Sequence, residues 1–416
     1  MKYLCPCAKH GEMEVKMKKI KLKKYFKIII CFLLILGVCF SSYYLILKKP
    51  VPIKSENKVV TKETKNKVSA SFIGDLLYEQ PYYDWIGSSY DDKDYYNLVK
   101  PYFTKDDLTL ANMEVPIGDK DLGISGTGYS FNAPNEIGKQ VIEMGVDIVN
   151  LANNHANDVG LEGRINTLNF FNEHNILTTG VYHSKEDRQQ IPIKTINNIT
   201  FSFLGYTYKT NKLDYQNQDL IGYYRNLDTM KLDSEHKQII KSEVEQAKKI
   251  SDIVIVSVHW GNEFTYTINN EQKELANYLN ELGVDVIIGH HSHCIQPIEW
   301  IENNNHRTLV VYSLGSFISA DNQVTRASKE FANAYNVSMI LQMDFVKNNK
   351  TVAIKNINYT PVINYYDQNL ENFKLVPLNQ YSHELEISHN RYSKGLTKDF
   401  VINSFNNVID QQFNRN

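Results

Sequence analysis

Apolar positions along the chain change period several times, and the changes mark out its elements. Short runs rich in β-branched residues alternate with stretches of helical period. Strand patterns cover Val68 to Ile73, Leu108 to Ala111, Val146 to Leu151, Phe201 to Tyr206, Ile253 to Val258, Val284 to Ile288 and Thr308 to Tyr312. Helical patterns cover Pro134 to Met144, Gly163 to His174, Asp233 to Ile250 and Asn270 to Leu282. Gly145 and Gly283 stand where two of these helices should stop, as C′ glycines do. The tyrosine- and aspartate-rich stretch from Leu76 to Tyr102 is expected to wrap the surface, and Gly118 to Tyr129 to form a loop. After about residue 330 strand-like pieces dominate: Asn336 to Phe345, Thr351 to Pro361 and Phe373 to Pro377. An amphipathic helix is expected from Lys398 to Phe413.

Strands alternating with helices imply an α/β fold with a largely parallel sheet. One unit occurs twice. GVDIVNLANNH (Gly145 to His155) and GVDVIIGHHSH (Gly283 to His293) have equal length, each following a helix that ends in glycine. Both read as a helix, a buried strand and a polar strand end.

The first residues differ in kind. Ile28 to Leu47 carry no charge over twenty residues, enough to cross a bilayer core of roughly 30 Å. Seven lysines between Lys16 and Lys27 precede the run, so the positive-inside tendency puts residues 1–27 in the cytoplasm and the body outside. No small-x-small site follows convincingly, which favours an uncleaved anchor over a cleaved signal. Met17 would make a more ordinary start than Met1. Residues 48–67 are lysine-rich and polar and read as a flexible stalk. The expected organisation is a basic cytoplasmic segment (1–27), a membrane anchor (28–47), a stalk (48–67), a main domain (68–330), and C-terminal strands plus a helix completing it (331–416). The expected location is the cell membrane, crossed once.

Charge sharpens this division. Residues 1–50 hold eleven lysines and two glutamates, which leaves 34 basic and 45 acidic residues, a net of −11, for the rest. Such a body is a poor partner for nucleic acid. Cys294 is the single cysteine beyond the first fifty residues, so the body must rest on its core rather than on disulfides.

Candidate chemistry collects where the strands end. The expected strand ends are Asp75, then Asn112 and Glu114, then Asn154 and His155, then His259 and Glu263, then His290 to His293, then Ser313 to Ser316. Open α/β sheets form their sites outside the carboxyl ends of their strands. Aspartate, asparagine, glutamate and several histidines together suit one or two divalent ions, Mn, Zn or Fe, without choosing among them. His290 is expected to face away from its neighbours His291 and His293.

Taken in order, Gly74-Asp75, Asn112-x-Glu114-x-Pro116, Leu151-Ala152-Asn153-Asn154-His155, His259-Trp260-Gly261-x-Glu263, Gly289-His290-His291-x-His293 and Tyr312-Ser313-Leu314-Gly315 resemble the CapA family of poly-γ-glutamate capsule synthesis proteins. The resemblance runs over roughly residues 68–330. It implies a calcineurin-like metallophosphatase fold: a sandwich of two sheets flanked by helices. It also implies roles. Asp75, Asn154, His259, His291 and His293 would hold metal, and His155 with Glu114 would act on the substrate. The implied partners are an anionic polymer such as poly-γ-glutamate and other capsule synthesis subunits. Two positions depart from the pattern. Leu77 stands where metallophosphatases carry the histidine of Asp-x-His, and Ser316 stands where the capsule family usually has asparagine. Two functions follow: a surface metal-dependent hydrolase or transferase, or an assembly subunit that keeps the site for binding. A phosphoesterase unconnected with capsule is a further alternative.

Overall fold

The computed structural model describes residues 66–90, 92–128, 130–303, 306–320 and 328–413. The expected anchor at 28–47 and nearly all of the stalk lie outside the described residues. No helix among the described residues is long and apolar enough to cross a membrane.

Two sheets carry the body. The first contains β1 (Lys67–Leu76), β2 (Leu108–Met113), β3 (Ile148–Asn150), β4 (Leu177–Thr179), β11 (Ser316–Ile318), β12 (Val337–Asn348), β13 (Thr351–Tyr365) and β14 (Lys374–Pro377). Its order is β14-β13-β12-β1-β2-β3-β4, with β11 also paired to β1. The second runs β5-β6-β7-β8-β10-β9, from β5 (Ile193–Ile196), β6 (Ile199–Thr207), β7 (Ile253–His259), β8 (Val286–His290), β9 (Ile298–Asn303) and β10 (His306–Val311). In the first sheet β1, β2, β3 and β4 are parallel, and so are β6, β7, β8 and β10 in the second. The strands from β12 onward add to the first sheet antiparallel, beside β1.

One buried apolar cluster lies between the sheets: Phe72, Leu110 and Ile148 from one meet Phe203, Ile255 and Ile288 from the other. Each parallel strand is therefore covered on both faces, which is why its sequence reads as a continuous apolar run. The helices close the outer faces. Helix Ser234–Ile250 buries Ile240, Val244 and Ala247, one stripe at helical spacing, and leaves its other face wet. Helix Asn270–Leu282 starts in a capping box between Asn269 and Gln272. It stops at Gly283, whose φ of 84° lies in the left-handed region that favours glycine.

The matching units occupy different sheets: the first supplies β3 and the second β8. They are one local solution used on both halves of the sandwich, and their polar ends meet across it. The stretch after β1 departs from expectation. Instead of wrapping the surface it buries Tyr78, Tyr82, Tyr83, Tyr95 and Tyr96, which join Phe131 and Phe373 in a second core. Tyrosine suits such a place when its hydroxyl finds a partner, as Tyr82 Oη does in Gln140 Oε1 at 3.0 Å. The final helix is shorter than its pattern, Lys398–Val408, with a tight turn at Gln411–Phe413.

Candidate metal centre

Asp75 ends β1 and is fully buried. It can be so because its neighbours are donors. Asn112 Nδ2, at the end of β2, donates to Asp75 Oδ1 at 2.8 Å. The backbone N–H of His291 donates to Asp75 Oδ2 at 3.2 Å. His290 Nδ1 lies 3.4 Å from Asp75 Oδ1, and His293 Nδ1 3.5 Å from Oδ2. Burial pushes the Asp75 carboxyl up, but its hydrogen bonds with His290 and His293 outweigh burial and hold it well below the usual carboxylate range. His290 therefore does not face away. Its Nε2 lies 2.9 Å from Ser257 Oγ, and the ring links β7 to Asp75.

Glu114 lies just beyond β2, and its situation is the opposite. It is fully buried, and neither carboxylate oxygen has a hydrogen-bond partner. Burial, then the negative charges of Asp75 and Glu263, push its carboxyl well above the usual range. His259 Nε2 stands 3.4 Å from Glu114 Oε1 and His293 Nε2 3.9 Å from it.

Burial, reinforced by the adjacent His291, pushes the imidazole of His259 well below its usual value, so it is neutral. Its Nε2 lies 2.8 Å from Asn154 Oδ1 and its Nδ1 3.4 Å from Asn112 Nδ2. Burial takes His291 down to about 4. The His291 ring lies 4.6 Å from that of His259 and 4.7 Å from that of Tyr208, and its Nδ1 has no partner. His291 and His293 adopt φ of 91° and 55°. Left-handed backbone costs a non-glycine residue on the order of 1–3 kcal/mol. It persists here because the backbone N–H of His291 is tied to Asp75. Ser316 Oγ is 3.0 Å from His293 Nδ1, so the serine does make a polar contact at the position where it departs from the family pattern.

Gly289, inside β8 just before the histidine loop, lets the strand pack closely against its neighbours. A Cβ there would stand 2.0 Å from the Tyr312 carbonyl oxygen and 2.5 Å from Trp260 Nε1. Trp260 is core, not chemistry: it is fully buried and its Nε1–H donates to that same carbonyl at 2.9 Å.

His155 stands at the edge of this cluster. Its Nδ1 lies 2.7 Å from Asp158 Oδ2, which also accepts from the backbone N–H of Phe131 at 2.8 Å. The Phe131 ring meets the imidazole edge-on at 4.7 Å. These contacts fix the ring and leave Nε2 for proton exchange. Asn153 Nδ2 donates to the Met113 carbonyl at 2.7 Å, which ties this turn to β2.

Among the described residues, two sets of donors could hold an ion: Glu114 with His291 and His293, and Asp75 with Glu114 and His259, all buried, each set with its ligand atoms within 4.8 Å of one another. The chemistry fits a divalent cation. A buried carboxylate with both oxygens unpartnered beside neutral imidazoles is costly without one. Leu77 is packed in the apolar core, so the position that departs from the metallophosphatase pattern offers no donor.

The structure thus brings Asp75, Glu114, Asn154, His259, His291 and His293 into one cluster, with His155 at its border. Glu263 is exposed on the loop beyond β7. Sequence reasoning overlooked Asp158, although its place three residues after His155 was a signal, and it set His290 aside.

A family described as bacterial capsule synthesis protein PGA_cap matches residues 69–321. The chain is 30% identical over 267 residues to the PGA biosynthesis protein CapA of Bacillus subtilis (strain 168), covering 64% of this chain and 67% of that one. It is 27% identical over 255 residues to the capsule biosynthesis protein CapA of Bacillus anthracis, covering 61% of this chain and 60% of that one. Among solved structures, the calcineurin-like phosphoesterase YfkN from Bacillus subtilis is 11% identical with a TM-score of 0.38, over 82% of this chain and 99% of that one. A likeness that distant carries no argument about chemistry.

Proposed function

The chain belongs to the bacterial capsule synthesis family PGA_cap, and from that premise we propose that it serves the synthesis, export or anchoring of poly-γ-glutamate through a metal-dependent hydrolytic or transfer site. The body would stand outside the cell, held by an anchor at residues 28–47; the uncharged run behind a lysine-rich segment supports this. One observation carries the site: Glu114 is buried with two unpartnered oxygens among Asp75, His259, His291 and His293. Those residues, with Asn154, would hold one or two divalent ions. A bound divalent cation supplies Lewis acidity, polarising a substrate oxygen and making water more acidic.

The chain's own residues do the rest. Asp158 orients His155 and favours the proton on Nδ1, so Nε2 can take or give a proton at the substrate. The bond acted on would be a phosphoester or a γ-glutamyl amide.

Elemental analysis and hydrolysis assays on the full chain test this. Bound metal is expected, together with turnover of p-nitrophenyl phosphate or a γ-glutamyl anilide. His291→Ala should lose both, and His155→Ala turnover alone. If wild type binds no metal, and His291→Ala and His155→Ala leave polymer formation unchanged in cells, the enzymatic reading fails.

A further inference from the structure

The chain that leaves β6 at Thr207 borders the metal cluster from Tyr208 to Lys212. The Tyr208 N–H donates to the His259 carbonyl at 3.2 Å, and the Asn211 N–H to the Asn154 carbonyl at 2.6 Å. The Tyr208 ring lies 4.7 Å from that of His291, and Asn211 Nδ2 3.4 Å from His155 Nδ1. Lys209 sits between these two anchors, and its own carbonyl accepts from Thr207 Oγ1 at 3.1 Å. Its backbone is therefore held beside the cluster, and its side chain is what remains free to move.

The charge on Lys209 is not offset by a carboxylate. The residue is half-buried, with Nζ 5.8 Å from the centre of the Tyr208 ring, and among the described residues it has no ion-pair partner. The other cations nearby are already engaged. Arg225, 5.1 Å from the same ring, pairs its Nη1 with Glu271 Oε1 at 2.5 Å. Lys212 Nζ donates to the Asp158 carbonyl. An ammonium held partly out of water, against an aromatic wall and without a counter-charge, attracts an anion. That it stands in a body of net charge −11, beside the candidate centre, makes its place specific.

We propose that Lys209 is a specificity-determining residue, which holds the free carboxylate of a glutamyl unit at the metal centre. The ammonium lies against Tyr208, and Tyr208 packs on His291, so a substrate bond at the histidines and a charged group close to it on the same chain can be held together. A γ-linked glutamyl chain leaves one α-carboxylate free on every unit, so each register of the chain offers Lys209 an anion. Lysine suits such repetition. A point charge on a flexible stem accepts successive units, where the planar fork of arginine would demand one orientation. This rests on the polymer reading above for the identity of the ligand, and on the placement of Lys209 for the site.

The test is calorimetric titration of the full chain in detergent, metal-loaded and again in EDTA. The probes are a γ-linked glutamyl pentamer, its neutral amide analogue and inorganic phosphate. Wild type should bind the pentamer at least about tenfold tighter than the amide. Lys209→Met should shrink that ratio at least about fivefold while the amide binds as before, and Lys209→Arg should keep it within about threefold. A merely structural change would weaken both probes alike. Lys209→Gln, which keeps a polar tip, gives the same comparison if methionine disturbs the fold. Equal binding of pentamer and amide to wild type, an unchanged ratio in Lys209→Met and Lys209→Gln, or a loss in those variants confined to phosphate each overturns the proposal. Metal content, measured on the same samples, separates the two readings. Protein without metal but with a Lys209-dependent ratio would remove the metal centre and leave the subsite. Metal-loaded protein that hydrolyses its substrate without such a ratio would do the reverse.

Discussion

Replacing Glu114 with glutamine should act in opposite directions on the metal-free and metal-loaded protein. In the metal-free protein Glu114 is a buried acid with two unpartnered oxygens, held protonated by burial and by the charges of Asp75 and Glu263. Its folded pKa is above the unfolded value of about 4.3, so stability from this group is full below that pH and is lost as pH rises through the folded pKa. The amide keeps the shape and removes the titration. Metal-free Glu114→Gln should therefore match wild type within about 1 kcal/mol near pH 5 and exceed it at pH 8. Metal reverses the ranking. At a free concentration of about 100 times Kd, an ion that binds only the folded state stabilises by about 2.7 kcal/mol. Unfolding entropy of roughly 2.1 cal/mol/K per residue, over a body of about 350 residues, converts that to a Tm rise of about 4 °C. Wild type should show this rise with Mn, Zn or Fe(II), more strongly at higher pH because binding displaces a proton from Glu114. Glu114→Gln should show less than a quarter of it. Calorimetry of both proteins after EDTA dialysis, with and without metal, is the assay. A variant that loses several degrees without metal, or that keeps the full rise with metal, would refute the argument.

Other consequences can be measured separately. His389 is fully buried, with Nε2 2.9 Å from the Asn364 carbonyl oxygen, to which Nε2–H donates, and Nδ1 accepting from the Arg391 N–H at 3.0 Å, and burial takes its pKa down to about 4. The unfolded chain binds its proton first, so stability falls as pH drops from about 6.5 to about 4, by about 3 kcal/mol for this group; urea midpoints across that window should fall less steeply, by one proton, in His389→Gln. Gly289→Ala places a Cβ 2.0 Å from a carbonyl oxygen and should cost about 3 kcal/mol, seen as a lower Tm together with weaker metal uptake, because the His290 to His293 loop must shift. Asp158→Asn should keep the metal and lower kcat by about 100-fold, with an altered pH profile, because His155 loses the carboxylate charge that holds its Nδ1 proton.

Much of this site was legible because the chemistry of strand ends is local. A run such as Val286 to Ile288, apolar and then abruptly histidine, announces a covered strand and a polar rim without any tertiary knowledge. The same holds for Asn270–Leu282, whose cap and terminal glycine sit beside it in the chain. Less was legible where meaning depends on a distant partner. His290 was set aside on alternation with its neighbours, yet Ser257 and Asp75 orient it from two other strands. Tyrosines 78 to 96 looked superficial because their hydroxyls are polar, and only packing against Phe131 and Phe373 makes them core.

Local patterning was enough for the α/β alternation, for β1 to β3, β6 to β8, β10 and β12 to β14 but not for β4, β5, β9 and β11, for the acidic body behind a basic segment and an uncharged run, and for the residue types at the candidate centre. These follow from periodicity, capping and charge, which neighbouring residues settle among themselves. It took the folded chain to put the matching units in different sheets, so that β3 and β8 bring their polar ends together across the sandwich. Folding alone made Asp75 a satisfied acid and Glu114 an unsatisfied one. Both stand at the ends of adjacent strands, and what separates them is which donors come within hydrogen-bonding distance once water has been excluded.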